Sequence, residues 1–150
     1  MNLSKIPKEF TEDLKKIIKV CKSVLKQNLV SIVLFGSVVA QKYNEHSDLD
    51  ILVIVDKLQL DKYKMEANIN TKCILNHIVH PIDITVKTKK GMELGLINRS
   101  AFVMEVIYTG QTIYGENIID PLKKELFKLL NNKSVERVRF GENYGWYITA

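Results

Sequence analysis

Three carboxylates and a Gly-Ser pair stand in this chain at spacings that phosphoryl-transfer chemistry requires. Gly36-Ser37 is followed, after ten intervening residues, by Asp48-Leu49-Asp50, and Asp83 comes later in Pro81-Ile82-Asp83-Ile84. Neighbouring acids repel each other unless a cation lies between them, and hard carboxylate oxygens suit Mg²⁺ or Mn²⁺. Two such ions roughly 3.5 to 4 Å apart can hold the attacking and leaving oxygens of an in-line displacement. These residue types therefore predict two-metal phosphoryl transfer.

The Gly-Ser pair is predicted to follow a buried strand. Residues 29–35 form an apolar, β-branched run that stops at Gly36, which is typical of a strand ending in a tight turn. A glycine lets the backbone come close to a ligand. Ser37 adds a hydroxyl and a backbone N–H where a new helix is expected to begin, which favours an anion such as a triphosphate.

The acids are predicted to lie on two neighbouring strands. Residues 48–55 indicate a strand, and because side chains alternate along a strand, Asp48 and Asp50 project to the same side. Asp83 lies in a third strand-like run, residues 82–86. It completes the cage if that strand is next to the second one.

Each motif also has an ordinary structural interpretation. Gly-Ser is a common turn dipeptide, Ser47-Asp48 is compatible with a strand-edge cap, and Asp83 with a surface position on a sheet. The combination favours function, because each motif falls at or in a different predicted strand. Asp56 and Glu105 are the alternatives for the third carboxylate.

The pattern resembles the nucleotidyltransferase superfold typified by DNA polymerase beta. Within it, the chain is similar to the minimal nucleotidyltransferases of archaea and bacteria, which are often paired, as antitoxins, with HEPN-domain proteins. That family's signature is Gly-Ser, a spacer of about this length, Asp-x-Asp and a later acid on a neighbouring strand. The resemblance covers about residues 10–120 and includes residues 106–115, which are similar to the helix-to-strand end of the minimal domain.

The resemblance implies a role for each motif residue. Gly36 and Ser37 would contact the nucleotide phosphates, and Asp48 and Asp50 would bind both Mg²⁺ ions. Asp83 would bind the catalytic metal and help to activate the attacking hydroxyl.

The chain departs from the family pattern directly after Gly-Ser. Many relatives have an arginine there, whereas this chain has Val38-Val39-Ala40, and the nearest cation is Lys42. We therefore expect the triphosphate charge to be met by Lys42 or by metal alone.

The resemblance also implies a reaction and a partner. The expected activity is transfer of a nucleoside monophosphate, AMP from ATP, to a hydroxyl, with a tyrosine of a HEPN toxin as the leading acceptor. One alternative is transfer to a small molecule, as in aminoglycoside-modifying enzymes. Another is a non-catalytic antitoxin that acts by binding alone. Homodimers and hetero-oligomers are both compatible with the chain.

The expected fold is one α/β domain over residues 1–150. A mixed, twisted sheet should carry the acids, with helices packed on one face, a core at about residues 10–120 and a helical and aromatic extension at about residues 118–150. Helices are predicted from an N-cap at Thr11, over much of residues 58–79, over residues 100–107 and from Asp120-Pro121, with a last short one from Ser134.

The tail beyond that last helix is rich in aromatic residues and glycine. Residues 140–147 include one phenylalanine, two tyrosines and a tryptophan. Two interpretations stay open: a terminus folded back on the core, and a contact with a partner or a second copy of the chain.

Composition adds limits. The net charge of +5 permits nucleic-acid binding, but the lysine row of the first helix lacks interleaved aromatic residues for stacking, which favours a solvated face or an acidic partner. No segment is apolar enough to span a membrane or to act as a secretory signal, so a cytoplasmic protein is expected. Cys21 and Cys73 are expected to be buried free thiols.

The three histidines give no strong metal signal. His77 and His80 are spaced as zinc ligands can be, but no further Cys or His lies nearby, which favours ordinary packing. His46 precedes the Asp pair and is either a loop residue or a neighbour of the nucleotide.

Overall fold

The protein is described by a computed structural model that covers residues 2–40 and 47–149. Over these residues run five α-helices and six strands. In chain order they are α1 (Lys8–Leu25), β1 (Leu29–Phe35), β2 (Leu49–Val55), α2 (Lys62–Leu75), β3 (Ile82–Thr88), α3 (Lys89–Ile97), α4 (Ala101–Thr109), β4 (Gln111–Gly115), α5 (Ile119–Asn131), β5 (Val135–Phe140) and β6 (Asn143–Ile148).

The main sheet is mixed, as the sequence predicts. Its strand order is β3-β2-β1-β4, with β1 antiparallel to both of its neighbours and β2 parallel to β3. Parallel strands need a crossover, and α2 supplies it between β2 and β3. This crossover is what brings the third acid beside the second strand.

Helices pack on both faces of the sheet, so the prediction of a single covered face is wrong. In β2, Leu49, Ile51 and Val53 pack with α1 and α2, whereas Leu52 and Ile54 pack on the opposite side with α3, α4 and α5. A strand covered on both faces is apolar at every position. The continuous apolar run that follows Asp50 is the sequence signal of two covered faces.

Two helices that position these cores agree with the predictions. In α2, Met65, Ile69 and Cys73 are the buried residues, at the predicted spacing of four. The α4 helix begins after Ser100, whose hydroxyl accepts a hydrogen bond from the Val103 N–H. Both cysteines are free and buried, as expected.

Two other helix starts differ from their predictions. The α1 helix begins at Lys8, after Pro7, and the Thr11 hydroxyl donates to the Lys8 carbonyl within the first turn instead of capping it. The α5 helix begins at Ile119, and the side chain of Asn117 accepts from the Asp120 N–H. In each case the helix begins before the predicted cap residue. The first turn of a helix accommodates polar residues and proline, so these residue types do not by themselves fix the first residue of the helix.

The helix predicted from Ser134 is wrong, because the chain forms a β-hairpin there. Strands β5 and β6 pair in register from Val135 opposite Ile148 to Phe140 opposite Asn143. The two-residue turn between them begins with Gly141, at a φ of +62°, where a residue with a side chain is disfavoured. No helix of the described residues is both long and apolar enough to cross a membrane.

Candidate active site at the end of the sheet

Gly36 stands directly against an acid of the site. It follows β1 at a φ of +83°, and a Cβ built on it would lie 2.1 Å from Asp50 Oδ2. A larger residue would be strained and would also displace the Asp50 carboxylate. Ser37 lies in a turn, in which the Ala40 N–H donates to the Gly36 carbonyl at 3.1 Å. The helix expected after Ser37 is therefore not present at residues 37–40.

The parallel pairing of β2 with β3 places two of the acids side by side. Asp50 is the register partner of Asp83. Asp48 is two residues before Asp50, so strand alternation directs both to the face covered by α3, α4 and α5. Asp48 and Asp83 are exposed and Asp50 is half-buried. The sequence prediction that Asp83 lies on a neighbouring strand is borne out by this geometry.

The electrostatics of Asp50 reflect this gathering of like charges. Burial raises the pKa of Asp50 to about 6, with further contributions from the charges of Asp83 and Asp48. Among residues 2–40 and 47–149, no hydrogen bond to its carboxylate offsets these contributions. A cation placed among the three carboxylates would relieve their mutual repulsion.

Three carboxylates on two adjacent strand ends form a hard-oxygen donor set that suits Mg²⁺ or Mn²⁺. Among the described residues, no three His, Cys, Asp or Glu side chains are gathered closely enough to form a ready-made metal cage. Asp48 and Asp83, being exposed, have the freedom to turn towards Asp50. The donor set therefore fits divalent ions that arrive with further oxygens, such as those of a nucleotide.

An open cleft of about 830 Å³ lies beside Gly36 and Ser37. Its other walls come from α4, through Glu105 and Thr109, and from the β5–β6 hairpin. The lining residues of the hairpin are Arg137, Arg139, Glu142, Asn143 and Tyr144. The volume suits a nucleotide-sized ligand.

Sequence reasoning missed the contribution of the hairpin. Arg137 Nε and Nη2 donate to the two Glu105 carboxylate oxygens at 2.9 and 2.7 Å, and Trp146 Nε1 donates to Glu105 Oε1 at 3.0 Å. Glu105 is therefore a paired acid that anchors the hairpin, not a free third carboxylate. The available signal was Phe140-Gly141-Glu142-Asn143, in which a glycine opens a two-residue turn between strand-like runs.

Three other predicted positions are not among the described residues of the site. Lys42, expected to bind nucleotide, and His46 lie outside the described residues. His80 contacts α1, where its ring nitrogen Nδ1 lies 2.7 Å from Asp13 Oδ2. This contact agrees with the packing interpretation of the histidine.

Comparison with known proteins points to one family. The family model described as polymerase beta, nucleotidyltransferase matches residues 15–119. Two proteins of Methanocaldococcus jannaschii, each named "putative protein adenylyltransferase", are 29% identical over 94 residues and 33% identical over 66 residues. These matches cover 56% and 44% of this chain. The chain spans 64% and 60% of the lengths of these relatives, which is less than two thirds of either.

Solved structures share the fold at low sequence identity. A spectinomycin adenyltransferase from Enterococcus faecialis, solved with ATP and spectinomycin, has a TM-score of 0.55 and 20% identity, over 83% of this chain and 65% of that one. A mutant MntA-HpeT toxin-antitoxin structure has a TM-score of 0.53 and 21% identity, over 81% and 88%. The family match covers both motif strands, the Gly-Ser turn and the strand of the third acid. The chain belongs to the polymerase beta nucleotidyltransferase family.

Proposed function

We propose that this protein is a Mg²⁺-dependent nucleotidyltransferase that transfers AMP from ATP to a hydroxyl acceptor. The observation that carries the proposal is the register pairing of Asp50 with Asp83, beside a glycine that has no room for a side chain. The match of the family model to residues 15–119 supports the same reaction class.

The reaction is a displacement at the α-phosphorus of ATP. The acceptor oxygen forms a bond to that phosphorus, and the bond from the phosphorus to the oxygen that bridges to the β-phosphate breaks. Pyrophosphate leaves with the electrons of the broken bond, and the hydroxyl proton passes through the carboxylate of Asp83 to solvent. Atoms and charge balance without a redox partner.

The chain's own residues divide this work. Asp48 and Asp50 would hold the ions that accompany the nucleotide, and Asp83 would hold the one at the acceptor. Bound Mg²⁺ supplies charge stabilisation of the phosphoryl oxygens and lowers the pKa of the acceptor hydroxyl. The backbone and hydroxyl of Ser37 offer donors to the phosphates at the mouth of the cleft.

The acceptor we propose is a hydroxyl of a partner protein, a tyrosine of a HEPN-domain toxin. The names of the two M. jannaschii relatives, as protein adenylyltransferases, support a protein acceptor over a small molecule. Transfer to an aminoglycoside-like compound and inhibition by binding alone are the competing outcomes of the assay.

The test is pyrophosphate release and intact mass with a co-expressed HEPN partner, MgATP and an EDTA control. We expect the partner to gain the mass of AMP only with Mg²⁺, and MgATP to bind more tightly than ATP in EDTA. Inhibition of the toxin without a mass change would identify a binder. Equal ATP binding in EDTA and in Mg²⁺ would remove the two-metal mechanism.

Asp83→Asn separates chemistry from nucleotide binding. This variant keeps the shape of the side chain but removes the charge that orients and deprotonates the acceptor, so it acts mainly in the transition state. We expect the transfer rate to fall at least about a hundredfold, in the range of general-base removal, with MgATP affinity changed only several-fold. Transfer at the parent rate would place the third carboxylate elsewhere.

A further inference from the structure

The described lining of the cleft beside Gly36 and Ser37 offers little positive charge for a polyphosphate. Glu105 and Glu142 line it, and Asp50 lies directly beneath Gly36. The cations among its described lining residues are Arg137 and Arg139, both on β5. Among the described lining residues, these two arginines are therefore the source of positive charge for a triphosphate bound in the cleft.

The two arginines differ in what they already bind. Arg137 forms a two-point ion pair with Glu105, and its guanidinium lies 3.6 Å from the ring centre of Tyr144 and 4.4 Å from that of Tyr108. Its side chain is 17% exposed. The charge of Arg137 is therefore compensated, and the residue holds the hairpin against α4.

The charge of Arg139 has no ion-pair partner among the described residues. It is exposed, and its Nε donates to the Gly141 carbonyl of the hairpin turn at 2.7 Å. Among residues 2–40 and 47–149 it forms no salt bridge, and its two terminal nitrogens have no described hydrogen bond. The turn carbonyl thus fixes one side of the guanidinium and leaves its two-pronged edge for a ligand.

The hairpin that carries Arg139 is anchored to the domain. Val135 is buried in the core beneath α3, α4 and α5, and Trp146 packs against that core and donates to Glu105. Arg139 is two residues beyond Arg137 on the same strand, so it extends from the same face of the hairpin. An anchored strand loses little conformational freedom when it binds a ligand.

We infer that Arg139 binds the β- and γ-phosphates of ATP and supplies the positive charge that the chain lacks directly after Gly36-Ser37. A planar guanidinium whose two terminal nitrogens are free of described partners matches phosphate oxygens in a two-point contact. The inference rests on the proposed function. It lies beyond the family match, which ends at residue 119.

The test compares ATP, ADP and AMP binding, each with Mg²⁺, in the parent, Arg139→Gln, Arg139→Lys and Lys124→Gln. Lys124→Gln removes the same charge from an exposed position of α5 that does not line the cleft. Trp146 is the single tryptophan and sits in the hairpin, so its fluorescence reports both nucleotide binding and the integrity of the hairpin. Calorimetry gives the affinities independently.

We expect Arg139→Gln to weaken ATP binding by about tenfold to a hundredfold, the range for loss of a charge-assisted contact, and to leave AMP binding unchanged. The ATP affinity of Arg139→Lys should lie between those of the parent and Arg139→Gln, because lysine keeps the charge but loses the two-point contact of the guanidinium. Lys124→Gln should match the parent. A folded Arg139→Gln variant that binds ATP as the parent does, or that weakens AMP equally, would overturn the inference and leave the nucleotidyltransferase standing. A parent protein that binds no ATP would overturn both.

Discussion

Two aspartates of this protein occupy opposite electrostatic environments. Asp13, in α1, is 3% exposed, and its carboxylate accepts from the N–H groups of Val79 and His80 and contacts the His80 ring. Asp50, at the start of β2, is half-buried among two like charges with no described donor. The same residue type has hydrogen-bond donors in one region and neighbouring like charges in the other.

The direction of the pKa shift follows from these surroundings. Burial by itself would raise the pKa of Asp13, but hydrogen bonds from His80 and Val79 outweigh it and lower that pKa. For Asp50, burial and the charges of Asp83 and Asp48 act together and raise the pKa to about 6. A carboxylate to which the described residues supply no donor is available for an external partner, and this distinguishes a candidate functional acid from a structural acid.

The largest expected effect is on activity, at Asp50. Asp50→Asn removes the proposed ligand for the nucleotide-bound ions, and loss of several kcal/mol of charge stabilisation should lower AMP transfer at least about a thousandfold. Because the variant also removes like-charge repulsion, thermal unfolding at pH 7 should occur at the parent temperature or above. A strongly destabilised Asp50→Asn protein would mean that Asp50 has structural donors like those of Asp13.

The next largest effect is on stability, at Asp13. Asp13→Ala leaves two part-buried backbone N–H groups without their acceptor and removes the partner of His80, so the free energy of unfolding should fall by about 2 to 4 kcal/mol. Glu12→Ala is the matched control, because its exposed pair with Lys15 should contribute less than about 0.5 kcal/mol. Urea titration of both variants measures the difference. Equal stabilities would show that the Asp13 contacts contribute little.

The smallest effect is the pH dependence, and its sign differs between the two sites. The folded-state pKa of Asp50, about 6, lies above its ordinary value of 3.8, so the folded protein binds more protons between these values. The associated stability is present below about pH 4 and is lost as the pH rises through about 6. The lowered pKa of Asp13 has the opposite consequence: its contribution is present above about pH 4 and is lost as the pH falls.

Unfolding of Asp50→Asn and of the parent between pH 4 and pH 7 checks this sign. The stability of the variant relative to the parent should rise from near zero at pH 4 to about 1 kcal/mol at pH 7, after allowance for partial hydration of the site. A difference that is constant with pH would mean that Asp50 titrates at its ordinary value.

Most of the sheet could be predicted from local pattern. The apolar runs before Gly36 and after Asp50 gave β1 and β2, and the alternation rule placed Asp48 and Asp50 on one side. The spacing of Met65, Ile69 and Cys73 gave α2. Helix starts were less predictable, because Thr11 and Asp120 are cap-type residues that lie one to three positions inside their helices.

Three results depended on contacts between residues far apart in the chain. The second face of the sheet is covered because α3, α4 and α5 pack against it. The hydrophobic pattern of β2 alone does not show which helices pack there. From the sequence alone Asp13 is an acid in the first turn of a helix. Only the structure shows that the segment after α2 places the N–H groups of Val79 and His80 against it. From the sequence alone the hairpin is an aromatic tail, and only the structure shows that Arg137 and Trp146 bind Glu105.

The sequence by itself determined which groups the candidate site contains, three acids and a Gly-Ser turn at strand ends, because residue type and strand period are local properties. Only the tertiary structure decided that Asp83 is the register partner of Asp50, that Gly36 abuts the Asp50 carboxylate, and that Arg139 lines the same cleft as Gly36. Pairing register and the return of the hairpin are set by packing across the whole domain, and such non-local contacts leave no signal at any one position of the chain.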